Sequence, residues 1–286
     1  MTFFLVLIIG LGYVFGLYFE QPGILPVVVV FSVAMSLFSY FFSDRVALGI
    51  SHAKQINRSD DEDLYRTVEN LSIAAGLPTP KIYLINDTAM NAFATGRDPK
   101  HATVAITSGL RSQLSKPELE GVMAHELSHI GNYDIRLSTI IVVLVGIIAL
   151  ISDWMLRISF YGGRRRSNNN SGGNGIILLI GVVLAFLSPL IATLIQLAIS
   201  RKREYLADAS GALLTRYPQG LAQALEKISH DHEPLEVANK ATAHLYFSDP
   251  LDEHKRKKDG IGKFASLFQT HPPIADRITR LRQMNF

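Results

Sequence analysis

Four long apolar runs constrain the fold of this 286-residue chain more than any other feature of its sequence. They occupy residues 1–19, 24–42, 137–156 and 176–200. A helix that crosses a bilayer needs about 20 apolar residues, which each run approximately supplies. We predict a retained helical hairpin from the first two runs, because only residues 20–23 separate them, and two further spans from the others. For the last two runs, a helix buried inside a folded domain is the alternative.

The amino-acid composition agrees with a membrane protein. Hydrophobic residues make up 48% of the chain and charged residues 19%. The chain has no cysteine, which excludes disulfides and thiolate metal ligands. The net charge is +3, and the basic residues lie beside the apolar runs, where they contact lipid headgroups. The composition therefore favours a lipid bilayer as a partner and argues against nucleic acid.

The apolar runs predict the domain organisation. An N-terminal transmembrane hairpin, residues 1–42, precedes a polar part at 43–136. A transmembrane or membrane-associated helix pair follows at 137–200, with a mobile loop at 157–175, and the second polar part is 201–286. Helical periodicity dominates the polar parts, and short β-rich runs are few. We therefore predict a mainly α integral membrane protein with about four transmembrane helices and a small β-sheet.

The basic residues predict the orientation in the membrane. Lysines and arginines flank the polar parts of the chain, whereas the hairpin link at 20–23 has none. By the positive-inside rule, the polar parts face the cytoplasm of a multi-pass protein in the cell (inner) membrane. The arginines of the 157–175 loop oppose this rule if both flanking runs span the bilayer.

The clearest chemical motif is His125-Glu126-Leu127-Ser128-His129. Residues four apart share one face of a helix, so His125 and His129 can bind one metal ion. Glu126 follows the first ligand and can act as the general base on a metal-bound water. The S-x-x-E pattern from Ser115 to Glu118 is a capping box, which predicts that a helix begins just before the motif.

A catalytic metal held by two histidines needs a third protein ligand, and Glu204 is our choice. Glu204 and Asp208 are also four residues apart, on a helix that continues from the fourth apolar run. Asp208 can then accept the free N–H of a ligand histidine. The alternative is a solvated acidic pair that balances residues 201–203. The nearby histidine motif favours the metal ligand.

Several ordered motifs resemble the HtpX family of membrane-bound zinc endopeptidases, which are related more distantly to the CAAX prenyl endopeptidases. The resemblance covers nearly the whole chain. The motifs that carry it are His125–His129 followed by Asn132 and Asp134, Glu204–Asp208, Asn91–Gly96, and His271-Pro272-Pro273 followed by Arg277. It implies a zincin-like catalytic domain with one Zn²⁺ per chain, bound by His125, His129 and Glu204.

The resemblance also implies roles for residues around the metal. Asn132 and Asp134 would lie with Asp208 in the shell around the ligands. His271 and Arg277 would lie near the scissile bond, where a donor stabilises the oxyanion. The alternative for His271 is a loop histidine before a Pro-Pro turn. An extended substrate would add to an edge strand formed by Asn91, Ala92, Phe93 and Ala94.

The position of the motif predicts the substrates. Leu137 lies eight residues after His129, about 12 Å along a helix, so the metal lies close to the membrane surface. Membrane proteins or unfolded polypeptides are then the expected substrates, and the resemblance implies a role in membrane-protein quality control. Two alternatives stay open: a CAAX-type processing protease, and a non-catalytic membrane scaffold with a relic zinc site. No oligomeric state is predicted.

Overall fold

The computed structural model describes residues 9, 13, 23–141, 201–231, 233, 247 and 272–285. The predictions for the fourth apolar run and for the loop at 157–175 lie outside the described residues. So do those for most of the first and third runs and for His271. The described part of the chain is mainly helical with one small sheet.

The described elements follow one another with short connections. The helices are α1 (Ile24–Ile50), α2 (Glu62–Ala74), α3 (Ser108–Gln113), α4 (Lys116–Gly131), α5 (Arg201–Thr215), α6 (Pro218–His230) and α7 (Ile274–Arg282). Residues 134–141 are also helical. The strands are β1 (Lys54–Gln55), β2 (Lys81–Ile85), β3 (Ala92–Gly96) and β4 (Ala102–Thr107). The predicted class, mainly α with a small β-sheet, is confirmed.

Helix α1 contains the second apolar run and extends beyond it to Ile50. Among the described residues, no single helix is both long enough and apolar enough to cross a bilayer. One bent pair, Val29–Met35 and Tyr40–Ile50, meets the criteria of length and composition when taken together, with 64° between its two parts.

The sheet is mixed, with strand order β1-β2-β4-β3. Strands β2 and β4 are parallel, whereas β3 runs antiparallel to β4 in a register that pairs Ala92 with Ile106 and Ala94 with Val104. All five residues of β3 are buried although the strand lies at an edge of the sheet. Among the described strands, β3 pairs with β4 alone, so its other side is an edge of the sheet.

Two apolar clusters fix the sheet between helices. On one face, residues of α2 and α4 such as Leu64 and Leu127 pack with Ala92 and Val104. On the other face, Ala47 and Leu48 of α1 pack with strand residues that include Phe93. The sheet therefore joins the motif helix α4 to the helix that contains the second apolar run.

The start of α4 is fixed by its sequence. The carboxylate of Glu118 accepts a hydrogen bond from the Ser115 N–H at 2.7 Å, as the capping box predicts. Lys227 of α6 donates to the same carboxylate at 2.7 Å. Further along, α4 contacts α6 through a glycine: a Cβ on Gly121 would lie 2.6 Å from the backbone nitrogen of Leu221. Because that contact is backbone to backbone, α4 and α6 hold a fixed spacing.

Candidate metal centre

The site lies where α4 and α5 touch. A Cβ on Gly211 of α5 would lie 3.0 Å from the backbone nitrogen of His125, so the two helix backbones are in close contact there. This approach turns the histidine face of α4 toward the acidic face of α5. The structure thereby brings together three of the predicted site residues, His125, His129 and Glu204, which come from two segments of the chain.

The three side chains present their donor atoms to a common point. The Nε2 atoms of His125 and His129 are 3.1 Å apart. The Glu204 carboxylate lies 3.7 Å from Nε2 of His125 and 3.5 Å from Nε2 of His129. Zinc–ligand bonds of about 2.0–2.1 Å in a tetrahedron place two ligand atoms about 3.3 Å apart. The two imidazoles and one carboxylate therefore fit a zinc ion in distance and in chemistry.

Both histidines have a carboxylate near the Nδ1 nitrogen. Asp134 lies 3.0 Å from Nδ1 of His129 in hydrogen-bond geometry. Asp208 lies 3.0 Å from Nδ1 of His125. A carboxylate at Nδ1 orients the ring and leaves Nε2 to the metal. Asp134 and Asp208 thus occupy the positions expected of outer-shell residues.

Arg277 of α7 completes the acidic side of the site. Its side chain is fully buried and donates two hydrogen bonds to Asp208, at 2.9 Å and 2.7 Å. Its Nη1 atom lies 3.9 Å from the Glu204 carboxylate. A buried guanidinium in this position neutralises carboxylates that burial would otherwise destabilise. The structure thus places Arg277 behind the ligands, where it contacts Asp208.

Burial and charge set the pKa values of the site. Burial lowers the pKa of His125 to about 4, which keeps its imidazole neutral and able to bind a metal. Burial also disfavours the charged form of His129, but Asp134 and Glu204 outweigh it and raise the pKa to about 9. Burial likewise opposes ionisation of Asp208, but Arg277 and His125 outweigh it and lower the pKa to about 2. Asp208 is therefore a carboxylate at neutral pH.

The remaining predicted residues are distributed around this centre. Glu126 is buried on α4 next to the first ligand. Asn132 is the exposed C-cap of α4, and the described residues include no side-chain hydrogen bond to it. Residues 92–94 belong to the edge strand β3, and Asn91 immediately precedes it. Pro272, the first described residue after His271, is buried.

Phe247 is the neighbour that the sequence did not indicate. Its ring packs edge-to-face on the His125 ring, with 4.9 Å between centroids, and the Arg277 guanidinium lies 4.8 Å from its centroid. Its backbone N–H donates to the carbonyl of Ala92 at 2.9 Å. Nothing in the local pattern around Phe247 marks it, because each of these contacts is made with a distant part of the chain.

Two histidines and a glutamate from facing helices, with a carboxylate beside the first histidine, define a metallopeptidase centre. The comparison with known families agrees with this class. The sequence profile of peptidase family M48 matches residues 58–285. The chain belongs to peptidase family M48.

Individual relatives refine the comparison. A protease HtpX homolog of Tropheryma whipplei is 49% identical over 245 residues, which are 86% of this chain and 80% of the relative. A protease HtpX homolog of Dictyoglomus turgidum is 44% identical over 269 residues, 93% of this chain and 84% of the relative. The resemblance inferred from the motifs is thereby confirmed, and the chain is a metalloprotease.

A solved structure shares the fold. The crystal structure of S. mikatae Ste24p aligns with a TM-score of 0.54 and 21% sequence identity. The alignment covers 94% of this chain and 61% of that one. This likeness concerns the arrangement of elements only.

Proposed function

We propose that this metalloprotease is a membrane-bound endopeptidase that holds one zinc ion between His125, His129 and Glu204. The observation that carries the proposal is the spacing of the three ligands, 3.1–3.7 Å between donor atoms. A bound zinc would supply a polarised water of lowered pKa and a Lewis acid for the peptide carbonyl. The chain's own residues orient that site and move the protons.

Glu126 is the proposed general base. Glu126 is buried on α4 directly after His125, and its charge contributes to the raised pKa of His129. It takes a proton from the attacking water and passes it to the nitrogen of the leaving amine. No covalent bond to the protein forms, so the site needs no serine or cysteine nucleophile.

The surrounding residues are assigned positioning and binding roles. Asp134 and Asp208 hold the two imidazoles with Nε2 directed to the metal, and Arg277 holds Asp208. For His271, which precedes α7, we propose the role of a donor to the oxyanion. The edge strand β3 is the proposed binding site for an extended substrate.

The membrane is the proposed setting. Helix α1 exposes large apolar side chains without any charge between residues 24 and 42, including Val27, Val30 and Phe31, and a row of this kind suits lipid contact. Arg97, next to β3, lies 5.4 Å from the Phe41 ring. This contact supports a substrate edge close to the bilayer and, with it, membrane proteins or unfolded polypeptides as substrates. The basic residues support a cytoplasmic orientation.

Metal content and casein cleavage of purified wild type, Glu126→Gln and Glu120→Gln test the proposal. Glu120 is a matched control because it lies on the same helix and outside the metal centre. We expect one zinc per chain in all three and cleavage by wild type and Glu120→Gln only. Equal cleavage by Glu126→Gln would refute the base assignment, and a zinc-free active enzyme would refute the metal assignment.

A further inference from the structure

Only a small part of the outer edge of β3 is free to pair with an added strand. In an antiparallel pair, alternate residues direct their N–H and C=O groups toward the partner strand. The Thr107 N–H donates to the Asn91 carbonyl, so Asn91 and every second residue after it face β4. Ala92, Ala94 and Gly96 consequently direct their backbone groups outward, where a substrate strand would add.

The Ala92 end of this edge is closed by the protein. The side-chain oxygen of Asn91 accepts the Ala92 N–H at 3.0 Å. The Phe247 N–H donates to the Ala92 carbonyl at 2.9 Å, which is the bond that the next residue of an added strand would make. Asp231 accepts the Met90 N–H at 2.6 Å just beyond, so a second residue from the same later part of the chain holds this end.

The Gly96 end is closed as well. The hydroxyl oxygen of Thr139 accepts the Gly96 N–H at 3.2 Å and lies 3.4 Å from the Gly96 carbonyl. The same oxygen is 3.0 Å from the hydroxyl of Thr95. Thr139 belongs to the helical residues 134–141, which include the start of the third apolar run.

Ala94 is left between the two closures. Among the described residues, nothing hydrogen-bonds to its outward N–H and C=O, although the residue is only 6% exposed. A buried backbone group is normally paired, so an open pair at this position indicates a ligand that supplies the partners. An extended peptide has one C=O and one N–H for the two groups of Ala94.

We infer that Phe247 is a specificity-determining residue that ends the substrate strand. The substrate pairs with β3 through Ala94 alone, and Phe247 blocks the Ala92 carbonyl against a second main-chain bond. The Phe247 ring is 97% buried and packs on His125. It therefore also excludes substrate side chains from the Ala92 end of β3. The inference rests on the proposed peptidase function. It implies recognition of a short main-chain segment with little dependence on sequence, which suits a protease that acts on many unfolded chains.

The competing arrangement is displacement, in which a substrate strand pushes Phe247 away and takes the Ala92 carbonyl. The two arrangements differ in the number of substrate amides that donate to β3. With Phe247 in place, one substrate N–H donates, to Ala94. With Phe247 displaced, a second N–H two residues away donates to Ala92, because outward groups alternate along the strand.

A scan of N-methylated peptides counts those amides. An eight-residue peptide derived from a mapped cleavage site is methylated at one amide at a time, and its Kd is measured with full-length, zinc-loaded Glu126→Gln protein in detergent. We expect one methylated position to raise Kd about 5- to 10-fold, the range for one lost hydrogen bond, and the others to stay within about 2-fold. The inference would be overturned if two amides separated by one residue were sensitive to methylation, or if no amide were sensitive.

Substitution of Phe247 gives the second arm. Phe247→Pro removes the N–H and frees the Ala92 carbonyl, so a second sensitive amide should emerge two residues from the first. Phe247→Leu is the matched control, since it keeps the N–H and should retain the single sensitive position. If Phe247→Pro does not fold, the N-methylation scan with the protein that retains Phe247 still distinguishes the two arrangements. Because Kd is measured without turnover, failure of the inference is distinguished from failure of the peptidase proposal, which the cleavage assay reports.

Discussion

Replacement of Arg277 by methionine is the sharpest test of how the site is built. The side chain is 1% exposed, and methionine has a similar length but no charge or donor. The substitution leaves the buried Asp208 carboxylate without its two hydrogen bonds. Breaking a buried ion pair from one side costs about 3–5 kcal/mol, because the remaining charge stays desolvated.

The pKa of Asp208 gives an independent magnitude. Its pKa is about 2 in the folded protein and 3.8 for the unperturbed group, a difference worth about 2 kcal/mol. Because the folded value is the lower one, this stabilisation is present above about pH 4 and is lost as the pH falls toward 2. In Arg277→Met, the free energy of unfolding should therefore be lower by about 3 kcal/mol at pH 7, and the difference should shrink on acidification.

The assay is chemical unfolding of metal-free full-length protein in detergent, followed by circular dichroism. Arg282→Met is the control, because Arg282 lies on the same helix in an exposed ion pair with Glu226 and should cost less than about 1 kcal/mol. In an Asp208→Asn background, Arg277→Met should cost at least about 2 kcal/mol less than it does alone. A loss below about 1 kcal/mol, or additive effects in the double variant, would refute the reasoning.

Three further predictions follow from other contacts of the described residues. Gly211→Ala should lower zinc affinity at least about 10-fold, because its Cβ would press on the His125 backbone at 3.0 Å. The control Gly131→Ala, with 3.6 Å from its Cβ to the nearest atom, should change zinc affinity less than about 2-fold. Chelator competition measures both affinities, and equal effects of the two substitutions would contradict the helix contact. Zinc binding should release about one proton at pH 7, since the pKa of His129 near 9 leaves its imidazole protonated without metal. Asp134→Asn should reduce that proton release. Calorimetry in two buffers counts the released protons, and the absence of any release would refute the assignment of His129 as a zinc ligand. Asp61→Ala should destabilise the fold by about 1–3 kcal/mol at pH 7, as it removes the cap of α2 and the two bonds from Arg111. Arg111 holds the pKa of Asp61 below its usual value, so the effect should fade as the pH drops below about 4, which thermal unfolding across pH can check.

The sequence predicted the features that depend on local periodicity. The capping box marks the start of α4, as the S-x-x-E pattern predicts. Residues four apart on a helix share a face whatever the tertiary structure, so His125 with His129 and Glu204 with Asp208 were placed as pairs. The edge position of residues 92–94 came from family resemblance, because strand order cannot be read from one strand.

The contacts that escaped prediction join distant parts of the chain. Arg277 reaches Asp208 across 69 residues, and no pattern in either helix indicates that pairing. The position of Phe247 depends on a single main-chain bond to Ala92, and backbone N–H groups are the same in every residue except proline. Such contacts are decided by packing of whole elements, and sequence periodicity contains no information about them.

The position of Arg277 in the chain has a consequence for biosynthesis. Helix α7 follows every other described element, yet it supplies the cation that neutralises Asp208 beside the first metal ligand. Chains emerge from the ribosome N-terminal end first, so the metal-binding helices are synthesised before the guanidinium that stabilises them. The buried ion pair beside His125 is therefore incomplete in the nascent protease until α7 has been synthesised and has packed against the rest of the fold.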